Sequence, residues 1–197
     1  MTRTAGSHGP TTQKAIQDAG LRLIHHHGYA AMSLRQLAGE VGLQVGSLYN
    51  HIRTKQDLLF DLLHGHMESL LTALDQALAE TADPEDALRR FVAFHVDYHI
   101  TRKAEVFICY SELRSLEPDN YAIIVGLRRG YERRLIAIIE QGVARGCFRV
   151  GDAPVAAYGI LAMLTGVCTW FRPDGRLTAA DLIDQYTAMV LNAVKGP

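Results

Sequence analysis

The sequence predicts an all-α protein of about nine helices, and two observations carry that prediction. Apolar residues recur with a 3.6-residue period, as at Leu58, Leu59, Leu62, Leu63, Leu70, Leu71 and Leu74, where strands would need alternation. Helix-start signals also recur along the chain, and Pro and Gly stand between the periodic stretches as stops.

The elements follow in order. Pro10-Thr11-Thr12 opens a first helix that runs to His27, with Gly28 as its stop. Ser33-Leu-Arg-Gln36 is a capping box, serine to the third amide and glutamine back to the cap, and starts a short second helix ending near Val41-Gly42. A third short helix covers about Val45 to His51. Thr54-Lys-Gln-Asp57 caps the long fourth helix. Asp83-Pro84-Glu85-Asp86 opens the fifth, with a cap, a proline at the first helical position and acids in the first turn. It extends to about Arg102. A sixth covers Val106 to about Leu116, before Pro118, and a long seventh runs from Tyr121 to Arg145. Asp152-Ala-Pro154 opens an eighth that ends near Phe171, and Thr178-Ala-Ala-Asp181 caps a ninth that reaches Ala193.

Composition narrows the function classes. At 197 residues and 48% apolar, the chain can bury a core in one or two domains. No run of 18 uncharged apolar residues is seen, so no membrane span is expected, and the N-terminus lacks an apolar signal core. Three scattered cysteines, Cys109, Cys147 and Cys168, suit a reducing cytoplasm rather than a disulfide framework. Residues 1–55 hold six Lys/Arg and two acids, whereas the other 142 hold 14 and 19. A basic N-terminal segment on a chain of net charge −1 points that segment toward a polyanion.

The stretch Val41-Gly-Leu-Gln-Val-Gly-Ser-Leu-Tyr-Asn-His-Ile-Arg-Thr-Lys55 crowds hydrogen-bonding side chains onto one short helix. Two short helices around a turn at Gly42 make a helix-turn-helix, whose second helix enters the major groove. Ser47 and Tyr49 can bond phosphates, Gln44 can pair with adenine, Gly46 removes bulk at the approach, and Lys55 can reach a phosphate.

Ser33 to Leu59 resembles the DNA-binding signature of the tetracycline-repressor (TetR) family, matching at Ala38, Gly42, Leu43, Gly46, Ser47, Leu48, Tyr49, His51, Ile52, Lys55 and Leu58. The resemblance is specific over residues 10–60. It implies that Arg35, Gln44, Val45, Ser47, Tyr49, Asn50, His51 and Lys55 face double-stranded operator DNA. Val45 departs from the polar residues usual there, and Arg3, in the arm before Pro10, could add a minor-groove contact. The implied organisation is a helix-turn-helix domain over 1–56 and a ligand-binding and dimerisation domain over 57–197.

The family's homodimer implies contact through the last two helices. Ala156, Gly159, Ala162 and Gly166 place small residues near one face of the eighth. Leu182, Ile183, Tyr186, Met189, Val190 and Ala193 form a stripe on the ninth. Such a two-fold dimer reads half-sites about 34 Å apart, or a multiple of that.

For the effector, Phe91, Phe94, His95, Tyr98, Phe107, Tyr110, Arg114, Arg128, Tyr131, Met163 and Trp170 supply aromatic and basic groups. Glu112–Leu116 and Trp170–Leu177 resemble segments of TetR-type repressors of fatty-acid and sterol-ring catabolism, which respond to acyl-coenzyme A thioesters. An acyl chain suits an apolar tunnel, while phosphates and adenine suit Arg114, Arg128, Trp170, Arg172 and Arg176. The alternative within the family is a multidrug or antibiotic sensor governing efflux, which needs aromatics without phosphate anchors.

An enzyme reading rests on His95 and His99, four apart on one helix face. Val96 stands where a zincin needs glutamate. No Gly-rich phosphate loop, nucleophile elbow or Cys-x-x-Cys pair occurs, so no enzyme activity, metal or cofactor is expected.

Overall fold

A computed structural model of the chain describes residues 9–196. Ten α-helices appear among the described residues: α1 (Gly9–His27), α2 (Leu34–Glu40), α3 (Val45–Leu48), α4 (Lys55–Leu78), α5 (Pro84–Thr101), α6 (Lys103–Ser111), α7 (Pro118–Ala144), α8 (Ala153–Thr165), α9 (Val167–Trp170) and α10 (Ala179–Lys195). A 3-10 turn, Leu113–Ser115, follows α6, and no strand occurs among the described residues. The expected all-α plan is present. The eighth expected helix is divided at Gly166 into α8 and α9, which accounts for the tenth. Arg3 lies outside the described residues.

The caps form as the sequence predicts. Ser33 accepts from the Gln36 amide at 3.2 Å while the Gln36 side chain accepts from the Ser33 amide at 2.9 Å. Thr54 and Asp57 reciprocate at 3.0 Å in each direction. Asp83, Asp152 and Thr178 cap α5, α8 and α10. Each cap satisfies an amide that the first turn leaves without a helical partner. The seventh helix starts earlier than expected, at Pro118, because proline tolerates the first turn, where its missing N–H costs nothing.

The chain forms two compact units. One comprises residues 9–66 with 104–123, and the other residues 67–103 with 124–196. Ile16, Ile24, Leu37, Leu48, Leu58, Leu59 and Leu63 are fully buried in the first. The second is built on α5, which packs against α8, α9 and α10. Leu88, Phe91, Val92, Val96, Leu135, Ile139, Ile160, Leu164 and Val190 fill its core. Helix α4 gives its first half to one unit and its second half to the other. In the second unit, Arg134 clamps Asp75 of that half bidentately at 2.5 and 2.6 Å, which holds the Asp75 carboxyl below its usual pKa.

The composition-based membrane expectation needs one correction. Ala153–Trp170 is 18 residues long with a mean hydropathy of 1.5, so by length and composition alone it could cross a membrane. Only 22% of it is buried within the single chain, and Gly166 interrupts it. Its apolar character is therefore not accounted for by the core of one copy.

Candidate nucleic-acid interface and effector unit

Helix α2 ends in a left-handed residue, Gly42, with φ +67°, a conformation that an L side chain resists. The Leu43 amide then closes onto the Ala38 carbonyl at 2.9 Å, and the chain turns into α3. Leu48 and Ile52 pin α3 from behind, at 0% and 3% exposure. That anchoring turns the polar side chains outward. Gln44, Ser47, Tyr49 and Asn50 are exposed, as is Arg35 on α2, while Val45 and His51 are half-buried. Gln44 occupies the N-cap of α3 without capping it, so its amide remains available to an outside partner. Helix α3 ends at Leu48, and turns carry the chain on to His51, with the Ile52 amide still bonded to the Leu48 carbonyl at 3.1 Å, where the sequence predicts continued helix.

Charge is arranged to the same end. Of the two acids in residues 1–55, Asp18 faces Lys14 at 3.6 Å and Glu40 faces Arg22 at 3.9 Å. Arg35 and Arg53 remain exposed. Lys55 is turned onto the α1–α2 connection. Its ammonium donates to the Ala30 carbonyl at 3.2 Å and lies 4.3 Å from the centre of the Tyr29 ring. Burial lowers the Lys55 pKa, opposed by the carboxylate of Glu112. The ammonium has three donors, so one such bond leaves others for a phosphate.

The segment 104–123 completes this unit. Glu112 accepts from the Tyr29 amide at 3.2 Å and from the Ser115 hydroxyl at 2.9 Å. Gln56, on the first turn of α4, donates to the Ser115 carbonyl at 2.6 Å and accepts from the Glu117 amide at 3.2 Å. His25 meets the edge of Phe107, with ring centres 5.1 Å apart.

The second unit contains a buried polar cluster. His95, 1% exposed, lies with Nδ1 2.9 Å from the Tyr131 hydroxyl and Nε2 3.2 Å from the Thr165 hydroxyl. The His99 ring stacks on it at 3.7 Å with a 9° interplanar angle. Burial first, and the neighbouring His99 second, push the His95 pKa well below its ordinary value. Both nitrogens of His95 are taken by hydroxyls, and in-plane lone pairs on parallel stacked rings do not converge on one ion. That geometry disfavours the metal-enzyme reading. Among the described residues no three His, Cys, Asp or Glu side chains gather around a metal-sized space.

The effector candidates divide between the units. Phe94, His95, Tyr98, Arg128, Tyr131, Met163, Trp170, Arg172 and Arg176 belong to the second, whereas Phe107, Tyr110 and Arg114 belong to the first. Tyr98 and Tyr131 are each 5% exposed. Phe94, Arg128 and Met163 are half-buried, and Phe107, Tyr110, Arg114, Trp170, Arg172 and Arg176 are exposed. A surface groove of about 310 Å³ between α5 and α10 is lined by Arg89, Asp184, Thr187, Asn192 and Lys195, and by none of these candidates.

The family model described as "Bacterial regulatory proteins, tetR family" matches residues 16–62, and "Tetracyclin repressor-like, C-terminal domain" matches residues 81–194. The chain belongs to the tetR family. The HTH-type transcriptional repressor KstR2 of Mycobacterium tuberculosis (strain ATCC 25618 / H37Rv) is 26% identical over 196 residues, covering 98% of each chain. The tetR-family regulator PfmR from Thermus thermophilus superposes with a TM-score of 0.81 at 33% identity, covering 90% of this chain and 97% of that one. AibR, solved in complex with isovaleryl coenzyme A and operator DNA, superposes with a TM-score of 0.81 at 27% identity, covering 94% and 99%. The family, KstR2 and PfmR are transcriptional regulators, not enzymes.

Sequence reading gave no role to Gln56 or Thr165, took Glu112 only as the start of the Glu112–Leu116 segment, and took His99 only as a metal-binding partner of His95. Gln56 and Glu112 carried one signal, their positions beside Lys55 and within the Glu112–Leu116 segment. Thr165 carried no signal pointing to His95, which is 70 positions away, whereas the four-residue spacing did place His99 beside His95, as a metal partner rather than as the stacked ring that the structure shows.

Proposed function

We propose that this chain is a homodimeric repressor that a small molecule releases from its operator, and that the effector is an acyl-coenzyme A thioester of lipid or sterol catabolism. The observation that carries the DNA-binding part is the α2–turn–α3 unit, with Leu48 and Ile52 locked inside and Gln44, Ser47, Tyr49 and Asn50 turned out. Such a helix reads base edges, with flanking groups on phosphates. Arg35, Gln44, Val45, Ser47, Tyr49, Asn50, His51 and Lys55 are the proposed contacts, and the protein acts in the cytoplasm, where its DNA is.

The repressor reading is supported by KstR2, named a transcriptional repressor, and the effector class by AibR, solved with isovaleryl coenzyme A and operator DNA. The aromatic residues around His95 and Tyr131 suit an acyl group, and Arg128, Arg172 and Arg176 suit phosphates. The little-buried, uncharged α8, together with α10, is the proposed dimer face. A second copy there explains the apolar composition of Ala153–Trp170 without a membrane.

Control follows as a population shift. The thioester binds a form whose two recognition helices misfit the operator, so DNA affinity falls. Near-complete release needs about 10⁴-fold preference for that form.

The test is fluorescence anisotropy on DNA upstream of the protein's own gene, across salt, with isovaleryl- and longer acyl-coenzyme A thioesters added. Binding that weakens steeply with salt and is reversed by a thioester supports the whole reading. Binding that no thioester reverses removes the effector class alone. Absence of salt-sensitive binding to any duplex removes the regulator reading.

A further inference from the structure

The segment 104–123 is joined at both ends to the second unit, at Lys103–Ala104 and at Ile123–Ile124, yet it folds into the first unit. Within that unit it is attached to the DNA-binding core by specific polar contacts. Glu112 holds the backbone of the α1–α2 connection through the Tyr29 amide, a bond spanning 83 positions. Gln56 grips the far end of the segment twice, by its donor on the Ser115 carbonyl and by its acceptor on the Glu117 amide. Gln56 lies next to Lys55, which itself holds the Ala30 carbonyl. The Tyr29 hydroxyl, its pKa raised by burial, has the Gln56 amide beside it. The connection to α2, the first turn of α4 and residues 112–117 therefore form one hydrogen-bonded body.

The other end of α6 is tied down too. Lys103, its first residue, donates to the Phe171 carbonyl and lies 5.5 Å from the Phe171 ring centre, within the second unit. Phe171 directly follows α9, whose Cys168 donates to the His99 carbonyl at 3.5 Å. Displacement of α9 would pull on the start of α6, and α6 would carry it to Glu112.

We propose that Glu112 and Gln56 form a latch that makes the α1–α2–α3 core follow the segment 104–123, so that both are positioning residues for effector control of DNA binding. The proposal rests on the repressor reading above and adds the route that control takes. Neither residue is among the proposed DNA contacts. Breaking the latch should therefore change the response to effector far more than the affinity for DNA. Couplings of this kind usually amount to about 5- to 150-fold in affinity.

The experiment compares wild type with Gln56→Ala, Glu112→Ala and Glu112→Gln. The last keeps an oxygen acceptor for the Tyr29 amide and serves as the conservative control. Two readouts are taken: operator affinity with and without isovaleryl-coenzyme A, and amide exchange at Tyr29 and over 113–117 with and without operator DNA. The expected result is operator affinity within about threefold of wild type in all variants, with effector-induced weakening at least halved on a logarithmic scale in both alanine variants and retained in Glu112→Gln. DNA should slow exchange at 113–117 in wild type and in Glu112→Gln only, because coupling is reciprocal. Alanine variants that keep the full effector response, or the full DNA-dependent protection, overturn the latch and leave the repressor reading standing. If isovaleryl-coenzyme A moves nothing even in wild type, the effector class fails and the DNA-dependent exchange decides the latch by itself. A wild type that binds no DNA overturns both.

Discussion

Phe148 occupies the space that a side chain on Gly142 would need. A Cβ placed on Gly142 would stand 1.9 Å from Cδ2 and 2.3 Å from Cε2 of the Phe148 ring. Phe148 is 2% exposed, and its amide bonds the Gly142 carbonyl at 3.1 Å, so the ring has little room to retreat.

Gly142→Ala should therefore destabilise the protein by about 2–3 kcal/mol, the upper range for overpacking. Phe148→Ala should cost about 3–5 kcal/mol through the cavity left behind. In the double variant the clash term vanishes, so the combined loss should fall below the sum of the two. Urea unfolding of the four proteins measures this, and strict additivity would show that the contact carries no strain.

His95 should make stability pH-dependent in one direction. Its folded pKa lies well below the ordinary 6.5, so between those values the unfolded chain takes up a proton that the folded chain refuses. Its contribution is fully present above about pH 6.5 and is lost as pH falls toward the folded pKa, by at most about 1.4 kcal/mol per pH unit. His95→Gln should be less stable than wild type at pH 7.5, with the gap narrowing at pH 5.5. A constant gap in melting temperature at both pH values would contradict the assignment.

Tyr49 is 53% exposed and Leu48 beside it is 0% exposed, so their substitutions should separate function from folding. Tyr49→Ala should weaken operator binding about 10-fold, or about 1.4 kcal/mol, with no change in melting temperature. Leu48→Ala should cost about 2–5 kcal/mol of stability. Anisotropy together with calorimetry distinguishes the two, and a destabilised Tyr49→Ala would move that residue from the interface to the core.

The Ser33 cap serves α2 by two reciprocal bonds. Ser33→Ala should cost about 1 kcal/mol, while Ser33→Asp should restore most of it because a carboxylate also accepts from the Gln36 amide. Thermal denaturation of both variants gives the answer.

Helix α8 exposes Val155 at 68% and Tyr158 at 52%, with Gly159 and Ala162 open beside them. Ala162→Glu should convert the proposed dimer to monomer and reduce operator affinity at least tenfold, because half-sites would bind singly. Sedimentation velocity reads the first effect, and a variant that remains dimeric would place the two-fold interface elsewhere.

The sequence by itself determined the helices and their starts. The caps at Ser33, Thr54, Asp83, Asp152 and Thr178 were legible because each bond joins residues three apart, and the apolar period of α4 was legible for the same local reason. The recognition stretch was legible too, since its chemistry sits in consecutive residues. Less legible were the ends of helices: α3 stops at Leu48, and Gly166, read as a packing residue, instead separates α8 from α9. Tertiary structure alone decided which distant groups meet. Tyr29 finds Glu112 across 83 positions and His95 finds Thr165 across 70, and no periodicity encodes such pairs. Their meeting depends on the path of the whole chain, in which residues 104–123 leave one unit to fold with the other.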